Sequence, residues 1–579
     1  MTEYSPYALP AIIAVTLATV VIGAYGLRLA RTTSDFLVAS RAISPRWNAA
    51  AISGEYLSAA SFLGIAGLVL KNGVDMLWYP VGFAAGYLAL LLFVAAPLRR
   101  SGAFTLPDFC ELRLSSTMLR KLAAGFVVFI GWLYLVPQFQ GAGLTMQTVM
   151  GGPYALGSIV VAVVVTGNVA LGGMRAVTFV QAFQYWLKLT ALAVPILFLL
   201  LHWQAQGRPE LAAPTGVSFT TATTVTVQNA VTLTFAETTP VTVRGTVDQS
   251  HVDGPAVLGV GRHEFTVGTK VLFPTGSRVP VVSGGAEGKS WFLPVGRDSG
   301  GLFAIYSLIL ATFLGTMGLP HVLVRFYTNP DGAAARRTTL VVLGLVGLFY
   351  LFPTLYGVLG RVYAPQLLLT GQTDAVVLIL PAAALGQGVT GQLLGALVAA
   401  GAFAAFLSSA SGLLTSVAGV LSTDVLGRGS VRDFRISAIV AGIVPLALAL
   451  RVSELDVSLV VGLAFAVAAS SFCPLLVLGI WWRGLTDVGA AAGVLAGGGA
   501  AAAAVLLTVF GHAGTGWTAS LMSYPAAWSV PLAFAVMICV SLATRRRIPS
   551  AVGLTMLRLH APDRLRLGSV HNGPSGRVF

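Results

Sequence analysis

Two adjacent serines in a long apolar segment are the first residues with a chemistry to offer. Ser408 and Ser409 follow Ala405 in the segment 390–423, and in a helix the Ala405 carbonyl and the two hydroxyls share one face. Serine back-bonding can loosen such a carbonyl. A hard monovalent cation needs several neutral oxygens, and this set supplies them. The alternative is structural, because serines in membrane helices also bond to their own helix or join neighbouring helices.

Two long apolar segments carry corresponding interruptions. The first spans 47–70 and the second spans 301–326, and their interruptions read Ser53-Gly54-Glu55-Tyr56 and Gly315-Thr316-Met317-Gly318-Leu319-Pro320-His321. Glycine favours open backbone and proline removes a donor, so each segment is expected to unwind locally. The carbonyls of residues 49–52, just before the first break, then lack full helical partners. Unwound backbone is tolerated at membrane depth only where it is buried or lines a cavity.

Paired interruptions, one in each half of the chain, are typical of a secondary transporter with a site near the membrane midplane. Two kinked helices that pack without a function are the alternative. No nucleophile–base pair, metal cluster or phosphate loop occurs at recognisable spacing, so the sequence predicts neither a membrane enzyme nor a primary pump. A channel or a membrane sensor is a further, less favoured alternative.

Composition places these segments in a membrane. The chain has 579 residues, of which 56% are hydrophobic and 10% are charged, whereas soluble domains carry about 25% charged residues. Thirteen spans are predicted, and their bounds are roughly 7–29, 45–70, 74–98, 120–149, 154–172, 177–203, 300–325, 338–361, 390–423, 434–452, 457–481, 487–510 and 525–544. The three cysteines show neither metal-ligand spacing nor a disulfide framework.

The arginines predict the orientation. An outside N-terminus puts nearly every basic loop inside, including Arg545-Arg546-Arg547, and leaves only Lys71, Arg361 and Arg451 in the short outer loops. The C-terminus is then cytoplasmic, and the net charge of +14 needs no nucleic-acid partner. The first span is interpreted as a retained helix because no basic residue precedes its apolar core; a cleaved signal peptide is the alternative.

Three regions lie outside the spans. Residues 206–298 alternate apolar and polar side chains between glycines and prolines, which predicts short strands in an outer insert, either a small cap or a flexible loop. Residues 375–380 are expected to form a short helix that ends at Pro381. The tail, 548–579, alternates apolar and basic residues; it is expected to lie along the inner lipid surface or to be solvated.

Several motifs, in order along the chain, resemble the sodium/solute symporter family. They are Asp35-Phe36-Leu37-Val38-Ala39-Ser40-Arg41, Glu55-Tyr56-Leu57-Ser58-Ala59-Ala60-Ser61-Phe62-Leu63-Gly64, Thr105-Leu106-Pro107-Asp108-Phe109, Gly172-Gly173-Met174-Arg175, and Gly318-Leu319-Pro320-His321 with Arg325-Phe326. The resemblance covers about residues 5–565 without the outer insert. The runs 58–64 and 318–321 look most like the acetate and short-chain monocarboxylate branch.

The resemblance implies a core of two inverted five-helix repeats, spans two to six and seven to eleven. Together with the predicted insert, the expected fold is an all-α polytopic membrane protein with two broken helices and a small β-like insert. The segments would be 1–44, 45–205, 206–298, 299–485, 486–545 and 546–579. The resemblance also implies one sodium ion bound by five residues and a substrate held at the breaks by four. The sodium residues are the carbonyls of Ala49, Ile52 and Ala405 with the hydroxyls of Ser408 and Ser409; the substrate residues are Tyr56, Ser58, Thr316 and His321.

A compact anion suits the positive ends of half-helices, and no arginine is expected at the midplane to hold a second carboxylate. Glu55 and Lys188 are ionisable at membrane depth, so either a coupling role or a buried structural pair is expected. Four aromatic residues, Trp78, Tyr79, Trp132 and Tyr134, are interpreted as packing or interface residues. The expected function is uptake of a small monocarboxylate, such as acetate, propionate or pyruvate, across the plasma membrane with sodium as coupling ion and no cofactor. Proton coupling, or another small solute such as an amino acid, sugar or vitamin, is the alternative.

Overall fold

The computed structural model describes residues 5–27, 43–211, 218–283, 285, 288–293, 299–426, 430–451, 457–511 and 516–565. The motif 35–41 lies outside these residues. Eleven continuous helical runs in the described chain are long and apolar enough to cross a membrane. Two of the runs, 60–101 and 154–205, are divided by glycines at positive φ, Gly73 (84°) and Gly173 (58°). Each of these two therefore holds two spans, and the thirteen predicted spans are all present.

In the first half of the chain, the second helix is short and ends just before the first break. Its helices are α1 (Ala8–Leu27), α2 (Pro45–Tyr56), α3 (Ile65–Asn72, after a π turn at Ala60–Gly64), α4 (Trp78–Ala89), α5 (Ala95–Ser101), α6 (Leu106–Leu114), α7 (Thr117–Met150) and α8 (Tyr154–Ala205). Ser44 is extended and Pro45 opens α2, where its missing N–H costs nothing. Thr105 and Asp108 form a reciprocal capping box that starts α6.

The insert is a folded cap with its own apolar core. Its antiparallel strands are β1 (Thr223–Thr226), β2 (Val231–Phe235), β3 (Thr239–Val247), β4 (Ser250–Leu258), β5 (Gly261–Phe265), β6 (Lys270–Phe273) and β7 (Val281–Val282). The order is β1-β6-β3-β5-β2-β7, with β4 on β3. Val231, Leu233 and Phe235 point into the core and alternate with more exposed threonines. The strand prediction is therefore confirmed, and the cap rather than the flexible loop is present.

The second half repeats the broken-helix plan. Its helices are α9 (Ser299–Gly318), α10 (Pro320–Phe326), α11 (Gly332–Tyr363), α12 (Gln366–Thr370), α13 (Val376–Leu385), α14 (Val389–Val420), α15 (Val431–Arg451), α16 (Val457–Trp481), α17 (Asp487–Val494), α18 (Ala500–Val509), α19 (Trp517–Ser523), α20 (Ala526–Ala543) and α21 (Val552–His560). Leu319 is extended between α9 and α10, and Pro320 opens α10. The second predicted break is confirmed. The first lies at Leu57 and Ser58, because the predicted run 53–56 stays helical to the end of α2, so the carbonyls of residues 49–52 lie within a helix.

Two smaller expectations need correction. Pro381 does not end the helix at 375–380, because α13 continues through it to Leu385 and stops only at Gly386, whose φ is 79°. The tail helix α21 does not rest on lipid alone: Met556 and Leu559 are buried, and the His560 ring lies 4.8 Å from that of Trp481. The orientation of the termini and the segment boundaries stay predictions.

Candidate functional site

The two breaks meet at a hydrogen bond between α2 and α9. The Tyr56 hydroxyl lies 2.8 Å from Thr316 Oγ1, and Thr316 in turn donates to the Thr312 carbonyl at 2.7 Å. Because the threonine hydroxyl has one proton and gives it to its own helix, Tyr56 is the donor between the two side chains. Tyr56 and Thr316 are 1% and 0% exposed. The structure thus brings together two predicted substrate residues that lie 260 positions apart.

The other two predicted substrate residues meet through a third side chain. The Tyr134 hydroxyl of α7 donates to Ser58 Oγ at 3.3 Å, and the Tyr134 ring packs edge-on against His321, with centroids 5.2 Å apart. Interpreting Tyr134 as a packing aromatic therefore missed a residue that bridges both breaks. Tyr134 is one of several aromatic residues in α7, so its sequence neighbours did not distinguish it from a packing residue.

Aromatic side chains enclose the junction. The Tyr56 ring contacts those of Tyr87, Phe83 and Phe465 at centroid distances of 4.7, 5.5 and 6.1 Å. Tyr350 stacks on Phe83 at 5.7 Å. All five rings are buried, so the junction is apolar, with a few hydroxyls placed inside it. This is the composition expected of a site for a small solute with one polar end.

Gln138 caps the helix that follows the first break. Its side-chain oxygen accepts a hydrogen bond from the Ala59 N–H at 2.9 Å, and its amide nitrogen donates to the Tyr134 carbonyl at 3.2 Å. The first N–H groups of a helix have no partner within the helix. Gln138, which is fully buried, satisfies one of them. Sequence reasoning missed this residue, although a glutamine in an apolar span is itself a signal.

Glu55 pairs with an arginine. Arg325 Nε lies 2.6 Å from Glu55 Oε2, and the same guanidinium donates to Thr178 at 2.8 Å and to Gln181. The two charged side chains are 0% and 1% exposed. The alternative in which Glu55 pairs with Lys188 is therefore wrong, since its ion pair is with Arg325. An arginine does lie at the depth of the breaks, but Glu55 already occupies it. Paired in this way, Glu55 presents no net negative charge to an anion at the junction.

Lys188 binds backbone oxygens at the first break. Its ammonium donates to the carbonyls of Gly54 at 2.5 Å and Leu57 at 2.7 Å. These groups end α2, where unpaired carbonyls and the helix dipole favour a cation. Lys188 satisfies these two carbonyls, so they need neither lipid nor water as a partner. It therefore stabilises the unwound backbone between the two half-helices.

The paired serines lie against the same helix end. Ser408 Oγ donates to the Gly54 carbonyl, and Ser409 Oγ donates to the Glu55 carbonyl at 2.5 Å. The other three predicted cation residues, Ala49, Ile52 and Ala405, are buried in the same helices, α2 and α14. The hydrogen bonds of the serines go to the carbonyls of residues 54 and 55, two and three positions beyond Ile52, the nearest carbonyl of α2 that the resemblance implied.

The donor set around the serines fits sodium. Hydroxyl and carbonyl oxygens are the neutral ligands that such an ion takes, and the described chain contains no group of three or more His, Cys, Asp or Glu side chains that could hold a metal. Two more oxygens of α2, Asn48 Oδ1 and Ser53 Oγ, are buried without a hydrogen-bond partner among the described residues. A buried polar atom without a partner needs an explanation, and a bound cation would provide one.

A small cavity lies beside α10, the helix that follows the second break. It is lined by Pro320 and Val324 of α10, by Thr105 before α6, and by Thr415 and Gly419 of α14. Helices α4 and α5 cross the molecule as one span between Trp78 and Ser101. The lining residue Thr105 follows the Ser101 end of this span, whereas Gly73 precedes its other end. Near Gly73, the buried Trp291 side chain donates to the Val69 carbonyl at 3.1 Å.

Comparison with known proteins identifies this arrangement. The model of the sodium:solute symporter family matches residues 36–251 and 301–497. The chain belongs to the sodium:solute symporter family. It is similar to the monocarboxylic acid transporter of Corynebacterium glutamicum, with 30% identity over 535 residues, 88% of this chain and 86% of the relative. It is also similar to the uncharacterized symporter YwcA of Bacillus subtilis, with 28% identity, 89% of this chain and 90% of the relative.

Solved structures agree on the fold of this symporter. A Na+-coupled sialic acid symporter in a substrate-bound outward-open state matches with a TM-score of 0.61 at 13% identity, covering 93% of this chain and 98% of that one. A nucleobase-cation-symport-1 family transporter in a closed conformation matches with a TM-score of 0.50 at 11% identity, covering 90% and 98%. The protein is thus a multi-pass membrane symporter with a core of two inverted five-helix repeats and two broken helices.

Proposed function

We propose that this symporter carries a small monocarboxylate, such as acetate, propionate or pyruvate, into the cell together with sodium. The observation that carries the proposal is the junction of the two breaks, where Tyr56 meets Thr316 at 2.8 Å inside a wall of aromatic rings. Donors for one carboxylate are present there: the Ala59 N–H and the Tyr134 hydroxyl, which now bond to Gln138 and Ser58. The likeness to a monocarboxylic acid transporter supports the same substrate class.

Charge and polarity both favour a single short carboxylate. Arg325 is already paired with Glu55, and the Lys188 ammonium is bound by the Gly54 and Leu57 carbonyls, so neither of these two cations is free to hold a second carboxylate. A sugar would bring several hydroxyls, and each needs a hydrogen bond when it is buried. The rings of Phe83, Tyr87 and Phe465 offer mainly apolar surface instead. The polarity of this surface favours a short apolar tail over a polyol.

Sodium would bind between α2 and α14. The residues that would hold it are Ala49, Ile52, Ala405, Ser408 and Ser409, all of them neutral oxygen donors. The ion would bring one positive charge close to the end of α2, where the helix dipole is negative. Binding of sodium would fix α2 against α14. It would thereby favour the conformation of the junction that accepts the anion.

Coupling to protons is the second candidate. It is favoured by Lys188, a buried ammonium that already binds the Gly54 and Leu57 carbonyls at the helix end that sodium would use. An ionisable group at membrane depth is a functional hypothesis by default. The two candidates share the substrate and differ in the driving ion. Separate sodium and pH gradients therefore distinguish them.

The test is uptake of labelled propionate into proteoliposomes in which the sodium and pH gradients are set independently. An inward sodium gradient alone is expected to drive accumulation, and acetate and pyruvate should compete while propionamide and glucose do not. Thr316→Val removes the acceptor of Tyr56 and is expected to weaken uptake. The matched control is Thr508→Val, because the Thr508 hydroxyl bonds to the Ala504 carbonyl of its own helix, as Thr316 bonds to Thr312, but it lies far along the chain in α18. Competition by glucose but not by acetate would overturn the substrate assignment.

A further inference from the structure

We infer that the carboxamide of Gln138 and the carboxylate of the substrate compete for the same helix N–H, so that Gln138 is a positioning residue that the substrate displaces. The inference rests on the proposed function. A carboxamide oxygen that accepts a hydrogen bond from a helix-end N–H occupies the position that a carboxylate oxygen would take there. Gln138 Oε1 lies 2.9 Å from the Ala59 nitrogen, a normal hydrogen-bond length.

The site has no room for both oxygens as packed. Ala59 and Gln138 are both fully buried. One turn along α7, a Cβ added at Gly141 would lie 3.0 Å from the Ala59 Cβ and 2.7 Å from the Phe406 ring. Because Gly141 has no side chain, α7 packs directly against Ala59, at the start of the helix that follows the first break. A substrate oxygen that bonds to the Ala59 N–H must take the place of the Gln138 oxygen.

A second polar group nearby points to a ligand. The Tyr87 hydroxyl is buried and has no hydrogen-bond partner among the described residues, although its ring lies 4.7 Å from that of Tyr56. A buried donor without a partner is rare in a folded protein. The carboxylate that displaces Gln138 would arrive in the same aromatic cluster and give this hydroxyl an acceptor.

The exchange has a mechanical consequence. Gln138 belongs to α7 and Ala59 to the broken helix, so their hydrogen bond ties two elements of the core together. The second hydrogen bond of Gln138, to the Tyr134 carbonyl, stays within α7. When the substrate carboxylate accepts the Ala59 N–H, the hydrogen bond between α7 and the helix after the first break is lost. A hydrogen bond of the same kind forms between Ala59 and the substrate. Substrate binding would thereby free the broken helix to move relative to α7.

Two substitutions of Gln138 test the competition, with affinity for labelled propionate measured by equilibrium binding to the purified protein in sodium buffer. Gln138→Met keeps the volume but removes the competing oxygen, and it is expected to lower Kd about fivefold. Gln138→Glu replaces the amide with a carboxyl group, a stronger partner of the helix end, and it is expected to raise Kd about tenfold. A role as a direct substrate ligand, or a merely structural role, would instead move both variants in the same direction.

The control variant is Gln184→Met, because Gln184 is equally buried in a span but bonds to Thr19 of α1 at 2.9 Å. It should leave Kd unchanged. Weaker binding in both Gln138 variants, or no change in either, would overturn the inference while wild-type binding keeps the proposed function intact. If the wild type binds no monocarboxylate, the proposed function fails and the inference fails with it. A thermal unfolding curve of each variant excludes a loss of folded protein as the cause of weaker binding.

Discussion

Replacing Arg325 with methionine is expected to lower the free energy of unfolding by about 3–5 kcal/mol, the usual cost of removing one member of a buried ion pair. The guanidinium holds three elements together. It reaches from α10 to Glu55 of α2 at 2.6 Å and to Thr178 of α8 at 2.8 Å, and it also bonds to Gln181. With both charged side chains at most 1% exposed, water cannot replace the lost partner, and Glu55 is left as an uncompensated buried carboxylate.

Chemical denaturation in detergent micelles, followed by tryptophan fluorescence, measures the effect. The matched control is Arg244→Met, which breaks the pair with Asp253 on the insert, where the side chains are 77% and 69% exposed. That change should cost no more than about 0.5 kcal/mol. The double variant Glu55→Gln, Arg325→Met should recover part of the loss because no charge remains buried alone. An Arg325→Met effect as small as that of the control would refute the reasoning.

Three further predictions concern the cation, the orientation and the tail. Ser408→Ala and Ser409→Ala should each raise the sodium concentration for half-maximal uptake, since the ion loses one neutral ligand; unchanged sodium dependence would contradict the site. A cysteine at Pro240, in a cysteine-free background, should react with an impermeant thiol reagent added outside whole cells, and protection from it would contradict an outer insert. The hydrogen bond from Arg100 holds the pKa of Asp563 below its usual range. Docking of α21 should therefore persist above the ordinary aspartate pKa and be lost as pH falls through the lowered value. Amide hydrogen exchange of residues 552–560 measures this docking. In Arg100→Gln, the pH dependence of the docking should be lost.

The fold was predictable where its cause is local. Glycine and proline mark the second break without reference to the rest of the chain: Leu319 precedes a proline and is extended, and Pro320 opens α10. The first break was predicted a few residues too early, because Gly54 is accommodated inside α2. The alternation of Val231, Leu233 and Phe235 likewise predicts a strand with one buried face, and all three are buried. Pro381 is the counter-example, because the same residue type that opens α10 lies inside α13.

The site was predictable only in part, because its contacts join distant positions. Glu55 and Arg325 are 270 positions apart, and nothing near Glu55 distinguishes Arg325 from Lys188 as its partner. Both cations reach the same break, but Lys188 ends at backbone carbonyls. Tyr134 and Gln138 were missed for the same reason. Their partners Ser58 and Ala59 belong to another helix, and only the packing of α7 on the break brings them together.

The central claim is that one carboxylate and one sodium ion bind to this symporter in a coupled way. The most direct measurement is a pair of calorimetric titrations: the Kd for propionate with and without sodium, and the Kd for sodium with and without propionate. Linkage requires that each ligand improves the other's affinity by the same factor. We predict a common factor of roughly 5–150, the usual range of such coupling. A factor of one, with propionate bound equally well in the absence of sodium, would contradict the account.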